Sequence, residues 1–219
     1  MESTLTSTCG LVWRLRARGV RDTTSATLAW FFWLIAKRPD IKKKIEAEIA
    51  KVKKGKWLSL DEVREMGYMH AVLSETLRLY PAIPLEGRTC AEDDTLPNGM
   101  KVRKGEWLMY NSYAMGRMEE IWGSDWKEFR PERWMNGTNG EFQQKSPFEY
   151  PVFNAGPRTC LGKEMAYIQM KVVAAGMLER FEINLMDEEE EKLPEMSIIM
   201  KMKGGLNVIV REKKYVAAN

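Results

Sequence analysis

The chain is poor in the residues that most often build catalytic or metal centres. It has a single histidine, His70, and three widely separated cysteines, Cys9, Cys90 and Cys160. Structural zinc takes close pairs such as C-x₂₋₄-C, and no such pair is present. An odd, unpatterned cysteine count argues against a disulfide framework and for a reducing compartment. Long apolar runs are also missing. The longest, Leu28 to Ala36, falls well short of the ~18 consecutive residues that read as a membrane span. Net charge is small: 34 Lys and Arg stand against 31 Asp and Glu, giving +3. That balance supplies no electrostatic footprint for nucleic acid, and none is expected as a partner.

What is present is the composition of a folded protein: 219 residues, 44% hydrophobic and 30% charged, enough for one good core or two small domains. The pattern predicts a helix from Asp22, with Ala26 to Ala36 apolar on nearly all sides and therefore buried. Lys37-Arg38-Pro39 stops it, because the residue before proline resists the α region. Ile41, Ile45, Ile49 and Val52 then stripe a second, amphipathic helix opened by Pro39, with its lysines on a solvated face. Ser59 followed by Glu62 reads as a capping box. A helix over about 69–80 ends at Pro81. Short β-like pieces follow to Tyr113, with a turn at Pro97-Asn-Gly99, and read as one small antiparallel sheet. Met115 to Trp122 reads as one or two helical turns, and 123–151 as irregular chain. A long helix over 163–181 carries Ala166, Met170, Val173, Met177 and Phe181 on one face. Gly205 to Arg211 reads as a closing strand.

The most informative stretch precedes that last helix: Phe153-Asn-Ala-Gly156-Pro-Arg158-Thr-Cys160-Leu-Gly162. A cysteine at a helix N-terminus meets unpaired N–H groups and the positive end of the macrodipole. Arg158 adds a cation, and both favour a thiolate over a thiol. Gly156 and Gly162 remove side chains where something flat could approach the backbone. Three readings stay open on the spacing alone: a buried structural cysteine, a nucleophilic or redox cysteine, and a metal thiolate.

The five fixed positions of Phe153-x-x-Gly156-x-Arg158-x-Cys160-x-Gly162 resemble the haem-binding loop of the cytochromes P-450. The resemblance implies haem b as cofactor, with Cys160 as the axial thiolate to iron, Phe153, Gly156 and Gly162 around it, and Arg158 on a propionate. Further motifs are similar in the same order. Glu75-Thr-Leu-Arg78 resembles the family's ExxR, whose i, i+3 spacing puts both side chains on one helix face. Pro131-Glu-Arg133-Trp134 resembles the segment supplying its third partner, so Glu75, Arg78 and Arg133 are expected to form a buried ionic network holding the cysteine loop against the helices. Arg88 matches a second propionate-binding arginine, and Ala82 to Gly87 a substrate-lining segment. Gly19-Val20-Arg21-Asp22-Thr23-Thr24 resembles the distal oxygen-activating motif, which implies proton delivery by Asp22 and Thr23. It departs from the family at Val20, where a β-branched side chain replaces the usual glycine.

The resemblance covers about residues 19–213, with 1–18 an N-terminal stub outside it. It implies a mainly α fold with a small β region, the C-terminal part of the P-450 fold cut before its distal helix is complete. A whole family member is more than twice as long. The lid helices and membrane anchor are expected to be absent, leaving the apolar Trp30-Phe31-Phe32-Trp33 as an exposed patch. The implied reaction is O₂-dependent C–H hydroxylation with electrons from a flavoprotein NADPH reductase. Met115 to Gly123 and Gly162 to Lys171 are similar to the plant fatty-acid ω-hydroxylase group, so the implied substrate is a small lipophile, a fatty acid. The family's address is the cytosolic face of the endoplasmic reticulum; this chain, without the anchor, is expected in the cytosol. The alternative expectation is a catalytically inert fragment that binds haem poorly or not at all.

Overall fold

A computed structural model of the chain describes residues 20–138 and 140–213. The stub expectation for 1–18, and Gly19, lie outside the described residues. Four helices build the core: α1 (Val20–Ala36), α2 (Pro39–Val52), α4 (Gly67–Leu79) and α7 (Lys163–Arg180), with the short α3 (Leu60–Glu65) beside α7. Ile41, Ile45, Ile49 and Val52 are all buried, so the i, i+4, i+8, i+11 stripe of α2 is its core face. The Ser59 capping box starts α3: Glu62 N–H donates to Ser59 Oγ at 3.3 Å, and Ser59 N–H to Glu62 Oε2 at 2.7 Å.

The helix expected over about 69–80 begins two residues earlier, since α4 starts at Gly67. Its own N-cap, Met66, offers no side-chain acceptor. Glu48 of α2 supplies one across the helix pair, accepting Tyr68 N–H at 2.7 Å and Met69 N–H at 2.8 Å. A carboxylate at that end also complements the helix dipole.

The strands form four separate two-stranded antiparallel ladders, not one sheet. These are β1 (Leu85–Thr89) with β4 (Trp107–Asn111), β2 (Asp94–Thr95) with β3 (Lys101–Val102), β5 (Phe181–Leu185) with β8 (Val208–Glu212), and β6 (Pro194–Glu195) with β7 (Lys201–Met202). The region expected as helical turns over 115–122 is two single turns, α5 (Ser112–Met115) and α6 (Glu119–Trp122). Gly116, between them, is buried.

Two expectations about packing are corrected. Trp30-Phe31-Phe32-Trp33 is no exposed patch: Trp30 and Phe31 are fully buried and Trp33 nearly so. Tyr80, at the end of α4, stacks on Trp30 at 3.9 Å between ring centroids, and Trp33 meets both rings edge-on. The α7 stripe is also rotated from the sequence reading. Its buried residues are Tyr167, Met170, Lys171, Ala174, Ala175 and Leu178, while Val173 is exposed. The helix is apolar on more than one side and buries a lysine and a tyrosine, so hydrophobicity alone indicated the wrong face.

Candidate haem-thiolate site

The most buried polar cluster centres on Glu75. Its carboxylate accepts five hydrogen bonds. Oε1 takes Arg78 Nη2 at 2.8 Å, Arg133 Nε at 2.9 Å and Arg130 N–H at 2.9 Å. Oε2 takes Arg78 Nε and Trp134 Nε1, each at 2.8 Å. The Glu75 and Arg78 side chains are 0% exposed and that of Arg133 is 5% exposed. Burying charges this completely is tolerable only when every donor and lone pair is engaged. Arg78 meets that condition by donating its remaining N–H groups to the carbonyls of Gly116, Trp126 and Glu128 at 2.5, 2.8 and 2.9 Å. Arg133 reaches the carbonyls of Trp122 and Asp125, each at 3.2 Å. Burial tends to raise the Asp125 carboxyl pKa, but the charges of Arg133 and Arg130 prevail and hold it below its usual range.

The network thus ties α4 to the irregular chain over 116–134. The cysteine loop is reached by a different set of contacts, in which Ser74, Tyr150 and Tyr167, given no role in the sequence reading, meet Phe153. Tyr150 OH donates to the Ser74 carbonyl at 3.2 Å, Tyr167 OH shares a proton with Ser74 Oγ at 3.0 Å, and the Phe153 ring lies 5.4 Å from that of Tyr167. Ser74 precedes Glu75 on α4, so one helix anchors both assemblies.

The loop itself is two 3₁₀ turns, Pro151–Phe153 and Gly156–Arg158. Asn154 (φ 61°), between them, and Gly156 (φ 62°), which opens the second, take positive φ. At Asn154 positive φ combined with an extended ψ of 177° is a nearly glycine-only conformation, so the asparagine there carries backbone strain, while at Gly156 glycine adopts positive φ freely. Cys160 N–H donates back to the Phe153 carbonyl at 2.8 Å, closing the loop, and Lys163 N–H donates to the Cys160 carbonyl at 3.3 Å where α7 begins. Cys160 is exposed and free. Leu161 beside it is bare, and a Cβ on Gly156 would meet nothing within 4 Å. At Gly162 an added Cβ would sit 3.9 Å from Cys160 Sγ. Arg158 is exposed and makes no hydrogen bond or ion pair among the described residues.

Arg88 is brought to the same loop from β1. Its Nη2 donates to Asn154 Oδ1 at 3.1 Å, and Tyr110 OH donates to the same oxygen. Asn154 is therefore the joint between the β1–β4 ladder and the cysteine loop. It lies inside the motif, at a position the five-residue pattern leaves free.

Asp22 and Thr23 lie in the first turn of α1 as described from Val20. Asp22 Oδ1 and Thr24 Oγ1 are buried without a hydrogen-bond partner among the described residues. Thr27 Oγ1 donates to the Thr23 carbonyl at 2.9 Å, and Ser25 Oγ to that of Asp22 at 3.1 Å. The Val20 side chain lies outside the described residues.

The donor chemistry around Cys160 suits a large flat anionic cofactor with a soft metal contact. An exposed sulfur is flanked by open space over Gly156, an uncommitted guanidinium at Arg158, and a half-committed one at Arg88. That set fits haem.

Comparison with known proteins agrees with this reading. The family model described as Cytochrome P450 matches residues 16–209. Cytochrome P450 CYP94D108 of Paris polyphylla is 56% identical over 203 residues, covering 90% of this chain and 41% of that protein. Cytochrome P450 94A1 of Vicia sativa is 50% identical over 167 residues, covering 74% of this chain and 32% of its own. Cytochrome P450 86B1 of Arabidopsis thaliana is 41% identical over 201 residues, covering 86% and 35%. The chain thus spans well under half the length of the curated relatives it matches.

Proposed function

The chain belongs to the cytochrome P450 family, and on that premise we propose that it is the haem-binding portion of a monooxygenase that hydroxylates a C–H bond of a fatty acid. The observation that carries this reading is the bare Cys160 sulfur at the head of α7, in a loop closed by Cys160 N–H on the Phe153 carbonyl. Cys160 is the residue to ligate iron. Arg158 and Arg88 are the residues to hold the propionates, and Phe153, Gly156 and Gly162 are those to border the ring. Haem b, when bound, supplies the activation of dioxygen that places one oxygen atom in the substrate.

The chain's own residues supply position and protons. Glu75, Arg78 and Arg133 hold α4 to the 116–134 segment. Tyr150, Tyr167 and Phe153 then fix the cysteine loop on α4. Asn154 orients Arg88 toward the loop. Asp22, with one buried carboxylate oxygen that has no hydrogen-bond partner among the described residues, is assigned with Thr23 to proton delivery at the first turn of α1. Electrons come from a flavoprotein NADPH reductase. The fatty-acid assignment rests on the likeness of Met115 to Gly123 and Gly162 to Lys171 to the plant ω-hydroxylase group. The proposed address is the cytosolic face of the endoplasmic reticulum. No helix of the described residues is long and apolar enough to cross a membrane.

A second reading is a haem binder without turnover. It is favoured by the exposure of the Cys160 side chain. One series separates the two. The haem-reconstituted, reduced chain is expected to give a thiolate-type carbon monoxide difference spectrum that Cys160→Ala abolishes. No haem uptake would overturn the proposal. Haem uptake with no hydroxylation of a long-chain fatty acid, reductase present, would leave the second reading standing.

A further inference from the structure

A cavity of about 220 Å³ lies between α3, α4 and the N-terminal half of α7, lined by Arg64, His70, Lys163, Glu164, Tyr167 and Lys171. Its charges do not balance. Lys171 is 4% exposed, and its Nζ donates to the Val63 carbonyl at 3.1 Å. An ammonium has three N–H donors, so two remain. The carboxylate that acts on it, Glu48, spends its oxygens on the Tyr68 and Met69 N–H groups. Neither Lys163 nor Lys171 has an ion pair among the described residues. Lys163 instead lies 5.9 Å over the Phe153 ring. The acid in the lining, Glu164, is 73% exposed at the rim and paired with Arg64 at 3.0 Å.

The cost of burying charge here is visible at Lys171 itself and at His70. Burial drives the Lys171 pKa down to about 8, although Glu48 opposes it. Burial, with the charges of Lys171 and Lys163, takes His70 to about 3, so its ring is a neutral wall packed between Phe142 and Tyr167. A buried cation with no carboxylate in contact stays costly even when one, like Glu48, acts on it from farther off, and an anion seated beside it relieves that cost.

We propose that this cavity binds a small oxyanion, phosphate or carboxylate, between Lys171 and Lys163, with Arg64 at its mouth. The site is distinct from the thiolate face, although Lys163 follows Cys160 by three residues.

The test uses the full chain without haem, so it stands or falls separately from the proposed function. His70 is the sole histidine, and its ring C–H proton resonance reports directly on the cavity. Inorganic phosphate, and acetate in a second arm, are titrated at constant ionic strength made up with chloride. A saturable His70 shift is expected, with affinity at least tenfold weaker in Lys163→Ala, whose half-buried side chain can be removed without opening the core. Phosphate is also expected to raise the thermal midpoint of the wild type and not of that variant. Lys171→Met, which keeps the stem, is expected to abolish the shift; if it fails to fold, Lys163→Ala and Lys163→Gln decide. A shift that follows ionic strength alone, rises without saturation, or survives in both Lys163 variants would overturn the proposal.

Discussion

Arg78 and Gly116 grip each other in both directions. The guanidinium donates to the Gly116 carbonyl at 2.5 Å, and the Gly116 α-carbon packs so tightly on the Arg78 carbonyl oxygen that a Cβ there would overlap it. The α4 helix and the α5–α6 connection are locked at that point. Gly116 has an ordinary helical φ of –64°, so its glycine is required by space and not by backbone conformation. Gly116→Ala should therefore cost about 1–3 kcal/mol through overpacking. The urea midpoint measures it, and an unchanged midpoint would show that the contact relaxes freely.

Removing the centre of the network should cost more. Glu75→Ala leaves Arg78 and Arg133 buried without their carboxylate, a loss of about 3–5 kcal/mol for a broken buried pair. Glu75→Gln keeps the shape and one good acceptor oxygen, so its loss should be smaller. Near-ultraviolet circular dichroism during thermal unfolding is a sensitive readout, because Trp134 donates directly to Glu75 and Trp122 faces the Arg78 guanidinium. Equal losses for Ala and Gln would mean that charge is all that matters at this position.

His70 should give the chain an acid-sensitive component of stability. Its pKa in the folded chain lies near 3, below the ordinary value of 6.5. The unfolded state thus binds more protons between those values, and stability falls as pH drops through that window. His70→Gln should flatten this part of the pH profile while leaving the carboxylate contributions in place. Unfolding free energies at about pH 5 and pH 7.5 give the comparison, and identical slopes in the two proteins would contradict the assignment.

Asn154 separates backbone from side-chain roles in the cysteine loop. Asn154→Gly keeps the positive-φ conformation but releases Arg88 and Tyr110. Stability should hold or rise as backbone strain is released, while haem affinity falls. Asn154→Val adds a β-branched side chain to a backbone that already strains any side chain, and should damage both. Haem titration with parallel urea melts distinguishes them, and unaltered haem affinity in Asn154→Gly would remove Arg88 from the site.

Tyr150→Phe tests the link between α4 and the loop. The buried hydroxyl donates to the Ser74 carbonyl, and its loss should cost about 1 kcal/mol. Cys160 labelling by a thiol reagent should also quicken as the loop loosens. A stability loss with unchanged labelling would confine Tyr150 to the core.

Much of this protein was written locally. The α2 stripe, the Ser59 capping box and the stop at Pro39 each depend on residues a few positions apart, and the structure follows them. The ten residues from Phe153 to Gly162 carried the family assignment, because a loop that must present a sulfur in one conformation constrains neighbouring positions together. Other features depended on partners distant in sequence. Which face of α7 is buried was decided by Ser74 and Val63, which accept or share hydrogen bonds with Tyr167 and Lys171 and so draw two polar residues inward. The start of α4 was decided by Glu48 on another helix, and the burial of Trp30 by Tyr80. Local propensity and periodicity fix what a segment can become. Charge neutralisation and packing across the chain decide which face turns inward, since the cost of a buried polar group depends on whether a distant residue arrives to satisfy it.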